Sequence, residues 1–379
     1  MKILFVQDSL GTGGAERSNF ELWKYLRSQN VEPLIIVLES REEGIEEEVL
    51  SLGFNVTILL NKSLPGQVLD IVRFIKREKP DIVHSVLFKA CIRTRLASLF
   101  VSFKSIEHLV NCTYSSVRLE DKRVNHLGLF LYKLVDRITA LSVNNFIAIT
   151  NEVKKHYIEH IKINSKKIKV INRGRHMNSF IESRHSIKRN YLKDLSISES
   201  NFILVHVGRQ EYQKDHNTFL KALKLLNDEN LDIEITILFC GRKGNCSNDI
   251  KRLVEVTDWQ FDLRFLGHRN DIEKLLLIAD VFVFPSLYEG LGGALIEAQS
   301  AGLPIICTDL PVFDEVVLKN VNALVFERGD FRKLADQIIK MFDNKRRKKM
   351  SQFSLNHFND KFRIDIIHLE TLNFYRQIL

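Results

Sequence analysis

Short apolar runs that end at a glycine recur along this chain, and helical patterns separate them. The first run, Lys2–Gln7, leads into Gly11 and Gly13 and then into an amphipathic helix from Ala15 to about Gln29. Apolar runs without polar alternation are typical of strands that are buried on both faces of a parallel sheet. The alternation of such strands with helices predicts an α/β fold with doubly wound sheets.

The same pattern occurs twice, with a polar stretch at residues 178–200 between the two halves. Further strands are predicted at 34–38, 55–59, 82–86, 146–149, 168–171, 201–207, 233–239, 263–266 and 281–284. A chain of 379 residues is long enough for two domains of about 150–200 residues each. We therefore predict two tandem Rossmann-like domains, at 1–180 and 181–356, whose strand ends face one cleft.

The last segment, 357–379, is predicted to be one amphipathic helix that packs back on the N-terminal domain. Its apolar side is expected to consist of Phe358, Phe362, Ile366, Leu369 and Leu372.

The composition is that of a globular protein, with 45% hydrophobic and 27% charged residues. No stretch reaches the roughly 20 uncharged apolar residues that a membrane span needs. The five cysteines lack CxxC spacing, which predicts reduced thiols in a cytoplasmic protein. The net charge is +8, and its densest run, 345–349, is interpreted as the solvated start of a helix. No nucleic-acid-binding motif accompanies it, so no nucleic-acid partner is expected.

The glycine-rich turn at residues 11–14 has three interpretations. The first is a dinucleotide-binding turn, but the segment departs from the GxGxxG pattern because Glu16 occupies the third glycine position. A purely structural tight turn is the second interpretation. We favour the third, in which the glycines let the backbone approach a phosphate or a sugar.

The segment from Pro285 to Glu297 follows the buried run 281–284 and contains a carboxylate, three glycines and a second carboxylate. A strand, a glycine-rich turn and a helix start together present backbone N–H groups to an anion. Eight positions at about 1.5 Å rise place Glu289 and Glu297 on the order of 10 Å apart, too far for the catalytic pair of a retaining hydrolase. The spacing therefore predicts separate roles along one extended ligand.

Two cations, Arg209 and Lys214, follow Gly208 at the end of the first strand of the second half. They are either surface cations or, as we favour, a pair that neutralises a departing diphosphate. In the first half, His84 is interpreted as structural, whereas a functional role is expected for His108, which adjoins a polar stretch. The sequence has no metal-ligand spacing and no DxD triplet, so no metal or other cofactor is expected.

Together these segments resemble the retaining, nucleotide-sugar-dependent family 4 glycosyltransferases of the two-domain GT-B fold, over nearly the whole chain. The most specific match is Glu289 to Glu297, within Pro-Ser-x-x-Glu-Gly-x-Gly. Supporting matches are residues 13–17, 106–108, 207–209 with 214–215, and 265–267 with 279–280. The family's usual Asn-Gly-x-Asp before the linker is Arg-Gly-Arg-His at 173–176 here, which adds positive charge near the hinge.

The resemblance implies a role for each matching residue. The implied catalytic residues, which would grip the donor diphosphate or contact the transferred sugar, are His108, Arg209, Lys214 and Glu289. The implied donor-binding residues are Gly13, Gly14, Gly208, His268, Arg269, Leu291, Gly292, Gly293 and Glu297. Of these, Glu297 would bind the ribose, and the base would lie near His268 and Arg269. Arg17 and Glu107 would bind the acceptor.

The first half also carries features expected of a surface that meets a membrane. Between Lys89 and Arg137 nine basic residues outnumber four acidic ones, and the apolar stretches 96–103 and 127–134 lie among them. Core helices with solvated edges would produce the same pattern. The sharper hypothesis is a face that meets a lipid-diphosphate acceptor at the anionic inner membrane surface.

The predicted function is retaining transfer of a sugar from a nucleotide-diphosphate donor, expected to be a UDP-sugar, to a glycan acceptor. That acceptor is expected to be a lipid-linked intermediate of bacterial lipopolysaccharide or capsule synthesis. The enzyme would be a metal-independent hexosyltransferase, cytoplasmic and peripheral on the inner face of the plasma membrane. The alternatives are a UDP-GlcNAc 2-epimerase, which would act without an acceptor, and a non-catalytic module that binds nucleotide sugars.

Overall fold

The computed structural model describes residues 1–11, 13–41, 44–229 and 231–379, so Thr12 of the first glycine-rich turn lies outside the described residues. These residues form two compact units. Unit 1 comprises Met1–Gly174 and Asp365–Leu379, and unit 2 comprises Arg175–Ile364. Each unit contains one parallel sheet with helices, as the alternation of strands and helices predicts.

The described residues of unit 1 form a sheet of seven parallel strands in the order β3-β2-β1-β4-β5-β6-β7. These strands are β1 Lys2–Gln7, β2 Glu32–Val37, β3 Asn55–Ile58, β4 Ile82–Val86, β5 Ser105–Leu109, β6 Asn145–Ala148 and β7 Ile168–Val170. The helices are α1 Gly14–Ser28, α2 Glu46–Ser51, α3 Leu64–Glu78, α4 Phe88–Ala97, α5 Ser116–Leu119, α6 His126–Thr139 and α7 Asn151–Ile161. Along β1, Ile3 and Phe5 join one buried cluster and Leu4 and Val6 another, so both faces of the sheet are covered.

Unit 2 has six parallel strands among its described residues, in the order β10-β9-β8-β11-β12-β13. They are β8 Phe202–Val207, β9 Ile235–Cys240, β10 Asp262–Gly267, β11 Val281–Phe284, β12 Ile305–Thr308 and β13 Ala323–Phe326. The helices are α8 Arg184–Asp194, α9 His216–Asn227, α10 Ser247–Glu255, α11 Ile272–Ile278, α12 Gly293–Ser300, α13 Phe331–Lys340 and α14 Asn344–Lys361. The predicted buried strand at 281–284 is confirmed as β11, which is fully buried.

Strands β5, β12 and β13 have no counterpart in the sequence prediction. They are short runs, which periodicity alone does not distinguish from a buried piece of helix.

The C-terminal segment forms two helices, so the prediction of one helix over 357–379 is wrong. α14 ends at Lys361, and a new helix, α15, spans Ile364–Ile378. Between the two helices, backbone groups bond to Arg175 and not to a residue one helical turn away. Arg175 N donates to Phe362 O at 2.9 Å, and Arg175 O accepts from Ile364 N at 3.0 Å.

The apolar side predicted for this segment is correct only in part. Phe358, Phe362 and Leu372 are buried, but Ile366 and Leu369 are exposed. The reason is the new start of α15, which turns Leu372 and Tyr375 toward the core of unit 1. Within the described ranges, no helix is long and apolar enough to cross a membrane.

Candidate functional site

The carboxyl ends of β8 and β11 lie side by side because the two strands are neighbours in the sheet of unit 2. The loop after β8 covers residues 208–215, and the loop after β11 covers 285–292. Two hydrogen bonds of 2.8 Å tie these loops together, from Leu287 N to Gln213 O and from Gln213 Nε2 to Tyr288 O. This edge of a parallel sheet is where ligands bind in such folds.

An ion pair between the loops joins two residues with predicted catalytic roles. Lys214 Nζ pairs with Glu289 Oε1, and 18% and 10% of the two side chains are exposed. The same ammonium lies 4.7 Å from the centre of the Phe284 ring, a cation–π contact. Because both groups are shielded but still partly exposed, a ligand that enters here meets a cation beside an acceptor in a partly desolvated setting.

The turn that begins α9 holds Lys214 in position. Asp215 has a left-handed φ of 46°, and its Oδ1 accepts from Thr218 N at 3.2 Å, which caps α9. The cap fixes the residue at which α9 begins, and therefore the direction in which Lys214, one residue earlier, projects.

The second loop ends at the N-terminus of α12. Gly292 has φ +80°, and a Cβ atom there would lie 2.8 Å from Cε1 of Phe313, so only glycine fits. In the described part of the chain, no side chain caps the first N–H groups of α12. These donors, together with the helix dipole, favour an anion at this end of the helix.

Glu297 lies within α12 and pairs with Arg175. Arg175 Nε donates to Glu297 Oε1 at 2.7 Å, and the guanidinium lies against Gly293. A cation at the positive end of a helix is unfavourable unless an anion shares the site, as Glu297 does here. Glu289 and Glu297 thus have different cationic partners, in keeping with the separate roles predicted from their spacing.

Sequence reasoning gave Arg175 no site role. The signal that could have found it was the unusual positive charge of residues 173–176. What the sequence did not reveal is that Arg175 reaches a carboxylate 122 positions further along the chain.

Two buried histidines lie close to Lys214. The rings of His206 and His216 are 4.6 Å apart, and His206 Nδ1 is 2.9 Å from Val283 O. Burial lowers the pKa of His206 to about 4 and the pKa of His216 to about 2. Both rings are therefore neutral near pH 7.

In unit 1, the glycine-rich turn after β1 also begins a helix. Gly13 is the N-cap of α1, and the carboxylate of Glu16 folds back against it. A Cβ atom on Gly14 would meet no described atom within 4 Å, so the backbone there is open to approach. Arg17 is exposed on the same helix and pairs with Glu48 at 3.1 Å.

His108 lies on β5 in a buried stack of rings. Its ring centre is 5.5 Å from that of His84, whose Nδ1 lies 2.7 Å from Tyr375 Oη. Burial lowers the pKa of His108 well below its usual value, and it lowers the pKa of His84 to about 3. Both rings are neutral near pH 7. His84 has the structural setting predicted for it, and the contact of His108 with a sugar stays a prediction.

Glu107, predicted to bind the acceptor, lies in a buried ion-pair network instead of on an open surface. Both of its oxygens accept from Arg95, at 2.8 and 2.5 Å, and Arg95 also donates to Asp136 Oδ1 at 2.6 Å. Tyr114 Oη donates to the other oxygen of Asp136 at 2.7 Å. These contacts are structural, and a role of Glu107 toward the acceptor stays a prediction.

Two family models match consecutive parts of the chain. Glycosyltransferase Family 4 matches residues 12–178, and Glycosyl transferases group 1 matches residues 187–357. Together they cover the chain except for its two ends and a short linker. The chain belongs to the family 4 glycosyltransferases.

Two bacterial relatives and a solved structure are similar to this family 4 glycosyltransferase over nearly its whole length. One relative is the UDP-Gal:alpha-D-GlcNAc-diphosphoundecaprenol alpha-1,3-galactosyltransferase of Escherichia coli, 27% identical, with 96% of this chain and 94% of that protein covered. The capsular polysaccharide biosynthesis glycosyltransferase CapM of Staphylococcus aureus is 23% identical, with coverage of 94% and 92%. The structure of Anabaena HepE in complex with UDP has a TM-score of 0.81 at 20% identity and covers 100% of both chains. This likeness confirms the predicted GT-B fold.

Arg209 of the glycosyltransferase lies in the same loop as Lys214 but has another partner. Its Nη1 pairs with Glu211 Oε1 at 2.9 Å, and the side chain is exposed. Gly208 leaves room for the stem of Lys214, since a Cβ atom there would lie 3.1 Å from Lys214 Cγ. The contact of Arg209 with a diphosphate stays a prediction.

The residues predicted to lie near the base follow β10. Arg269 forms two hydrogen bonds with Asp271, of 2.8 and 2.6 Å, and these bonds lower the pKa of Asp271. His268 is exposed beside it. Leu291 is buried in the loop before α12.

Proposed function

We propose that this family 4 glycosyltransferase transfers a hexose from a UDP-sugar to a lipid-linked glycan, with retention of configuration and without a metal ion. The observation that carries the proposal is the Lys214–Glu289 ion pair at the strand ends of unit 2, in the loop that leads to the open N-terminus of α12. In this arrangement, a cation and backbone N–H groups can bind a diphosphate. The carboxylate can accept hydrogen bonds from sugar hydroxyls.

The cations would promote departure of the diphosphate. When the bond between the anomeric carbon and the diphosphate oxygen breaks, negative charge grows on that oxygen, and Lys214 with Arg209 would stabilise it. The acceptor hydroxyl oxygen forms the new bond on the same face of the sugar. Its proton passes to the departing phosphate oxygen, so this scheme needs no protein nucleophile.

The two glutamates would hold the donor at two points. A diphosphate beside Lys214 competes with Glu289 for the ammonium, which leaves Glu289 able to accept hydrogen bonds from the sugar. Glu297 would accept from the ribose hydroxyls. Arg175, which already contacts Glu297 and Gly293, would lie between the ribose and the phosphates.

The relatives support the donor and acceptor assigned here. The name of the Escherichia coli relative contains UDP-galactose and a diphosphoundecaprenol-linked acceptor, and HepE was solved with UDP. For this chain we propose the same classes of substrate. We also propose that the enzyme acts in bacterial surface polysaccharide synthesis, in the cytoplasm and at the inner face of the plasma membrane.

Thermal unfolding in a panel of nucleotide sugars tests the donor. A matching donor at a hundredfold over its dissociation constant is expected to stabilise the protein by about 2.7 kcal/mol. UDP-sugars should stabilise it, and GDP- and ADP-sugars should not. Stabilisation by another nucleotide class alone would overturn the UDP assignment.

A transfer assay then tests the reaction. The purified enzyme, the matching donor and a short-chain lipid-diphosphate sugar are incubated with EDTA, and the linkage is determined by NMR. The expected product has the anomeric configuration of the donor. An inverted product, or a strict need for a divalent cation, contradicts the proposal. Epimerised donor without acceptor would identify a 2-epimerase, and donor binding without turnover would identify a binding module.

A further inference from the structure

Helix α6 presents its apolar side to solvent. Six large apolar side chains, each between 48% and 77% exposed, occur at spacings of three, four and one residue along α6 and the turn that follows it. We call them the α6 face: Leu127, Phe130, Leu131, Leu134, Ile138 and Leu141. Residues at these spacings lie on one side of a helix, so the face is continuous.

Polar contacts hold the inward side of α6. Asp136 is the buried residue of the helix, and it is held by Arg95 and by Tyr114 Oη. Thr139 Oγ1, one turn later, accepts from Arg95 at 2.8 Å. Rotating the apolar face inward would leave Asp136 and Arg95 without each other, which is costly for buried charges. The outward apolar orientation is therefore imposed by the charge network beneath the helix.

The charges of the α6 segment are mainly positive, although Arg123 is paired with Asp121, which precedes the segment. From residue 122 to residue 142 the sequence contains the cations Lys122, Arg123, Lys133 and Arg137 and a single carboxylate, Asp136. That carboxylate is buried and paired, so the outward charge of the segment is positive. An apolar face flanked by cations is complementary to an anionic lipid surface, where aliphatic side chains enter the acyl region and cations meet the headgroups.

The length of α6 excludes a spanning arrangement. Fourteen residues at about 1.5 Å each cover roughly 21 Å, less than the roughly 30 Å of a hydrocarbon core. A contiguous exposed apolar face on a protein marks an interaction site. A helix that is too short to span and apolar along one outward side fits the interface plane.

We propose that α6 lies in the plane of an anionic membrane, with the α6 face inserted at the boundary between headgroups and acyl chains. The inference rests on the proposed function in one respect, because a lipid-linked acceptor would be presented in that plane. Its partner is the bilayer itself, and its determinants are the six side chains of the α6 face and the cations beside them.

Vesicle co-sedimentation tests the proposal with the full chain. Vesicles of phosphatidylcholine with about 30% phosphatidylglycerol are compared with pure phosphatidylcholine, at low and high salt. The protein is expected to pellet with the anionic vesicles, and high salt should weaken binding because the Debye length shortens. The triple variant Leu131→Gln, Leu134→Gln and Ile138→Gln should reduce binding at least tenfold.

Two matched changes make the result specific. The control Leu50→Gln, Leu52→Gln and Leu60→Gln alters three exposed leucines elsewhere in unit 1 and should bind vesicles like the parent protein. The single variant Phe130→Trp should show blue-shifted fluorescence that lipid-borne bromine quenches, whereas Leu60→Trp should show neither. Unchanged melting temperatures in both triple variants confirm that they fold, as expected for exposed positions.

The outcomes separate this inference from the proposed function. Donor stabilisation and transfer to a short-chain acceptor need no membrane, so the Gln triple variant should retain both. If the parent protein shows neither donor stabilisation nor transfer but still binds vesicles, the proposed function is overturned and the role of α6 is not. Absence of vesicle binding, equal binding by the Gln triple variant, or a dimer of the parent that this variant dissolves would overturn the role of α6.

Discussion

Two sets of ion pairs in this glycosyltransferase consist of similar charged groups but differ in how far their side chains are buried. In unit 1, Arg95 bridges Glu107 and Asp136, and at most 5% of any of the three side chains is exposed. In unit 2, the Lys214–Glu289 and Arg175–Glu297 pairs are between 10% and 37% exposed, at the edge of the sheet. Burial, and not the chemistry of the groups, distinguishes the two sets.

The difference shows which charges can change partners. Burial alone would lower the pKa of Arg95, but Glu107 and Asp136 raise it, so the guanidinium stays charged and bound. A ligand cannot reach that network. The pairs of unit 2 can exchange partners with a ligand, because solvent already reaches them and the N-terminus of α12 lies next to one of them.

Of the substitutions considered, Arg95→Met is expected to have the largest effect, because it breaks the unit 1 ion pairs. It leaves two buried carboxylates without their cation, which is expected to lower the free energy of unfolding by about 3–5 kcal/mol in urea titrations. Arg73→Met removes an exposed pair with Asp70 and should cost less than about 1 kcal/mol. Equal effects of the two changes would remove the distinction drawn from burial.

Lys214→Ala and Glu289→Ala each break an ion pair of unit 2, and they should lower the rate of transfer and not the stability of the fold. Each is expected to reduce transfer by about 10²–10³-fold because electrostatic stabilisation of the leaving group or the hold on the sugar is lost. Both proteins should remain folded by circular dichroism. Lys221→Ala, an exposed lysine on α9, should keep full activity. Near-normal turnover in either site variant would refute the assignment.

His206→Gln tests burial without an ion pair. The folded pKa of about 4 lies below the ordinary value of about 6.5, so the unfolded chain takes up the proton first as the pH falls. His206 therefore lowers stability progressively from pH 6.5 to pH 4, by up to about 1.4 kcal/mol per pH unit, and not above pH 7. Urea unfolding at several pH values should give a flatter curve for the variant in that window. Parallel curves would show that His206 does not titrate in this way.

Of these substitutions, Arg175→Ala is expected to have the smallest effect, which is on donor affinity. The Arg175–Glu297 pair is the more exposed of the two in unit 2, so its loss is expected to raise the dissociation constant of the donor about fivefold, on the order of 1 kcal/mol. Calorimetric titration with the matching UDP-sugar measures it. Arg332→Ala, at an exposed position of α13, serves as the control. Unchanged or tighter donor binding would give Arg175 a structural role only.

The sequence predicted the features that depend on local pattern. Strands such as β8 and β11 are continuous apolar runs, and the turn at Gly292 follows from glycine spacing, so both could be predicted from neighbouring residues. The separation of Glu289 from Glu297 followed from helix geometry in the same way. These features place the loops of the candidate site.

Features that depend on distant partners could not be predicted. Arg175 meets Glu297 across 122 positions, and no local pattern encodes that contact. The apolar pattern of α6 identifies one side of the helix, but the buried partners of Asp136 decide that this side faces outward. The break between α14 and α15 likewise depends on Arg175 bonding Phe362 and Ile364.

The division of the C-terminal segment between the units has a consequence for synthesis on the ribosome. Leu372 and Tyr375 of α15 belong to the same buried cluster as Ile3 and Phe5 of β1. Residues 365–379 are translated after all of unit 2, so the N-terminal sheet emerges first but lacks part of its core until residues 365–379 have left the exit tunnel. Unit 2, whose residues are consecutive, can complete its own core earlier. The core of unit 1 can therefore be completed only after the whole of unit 2 has been synthesised.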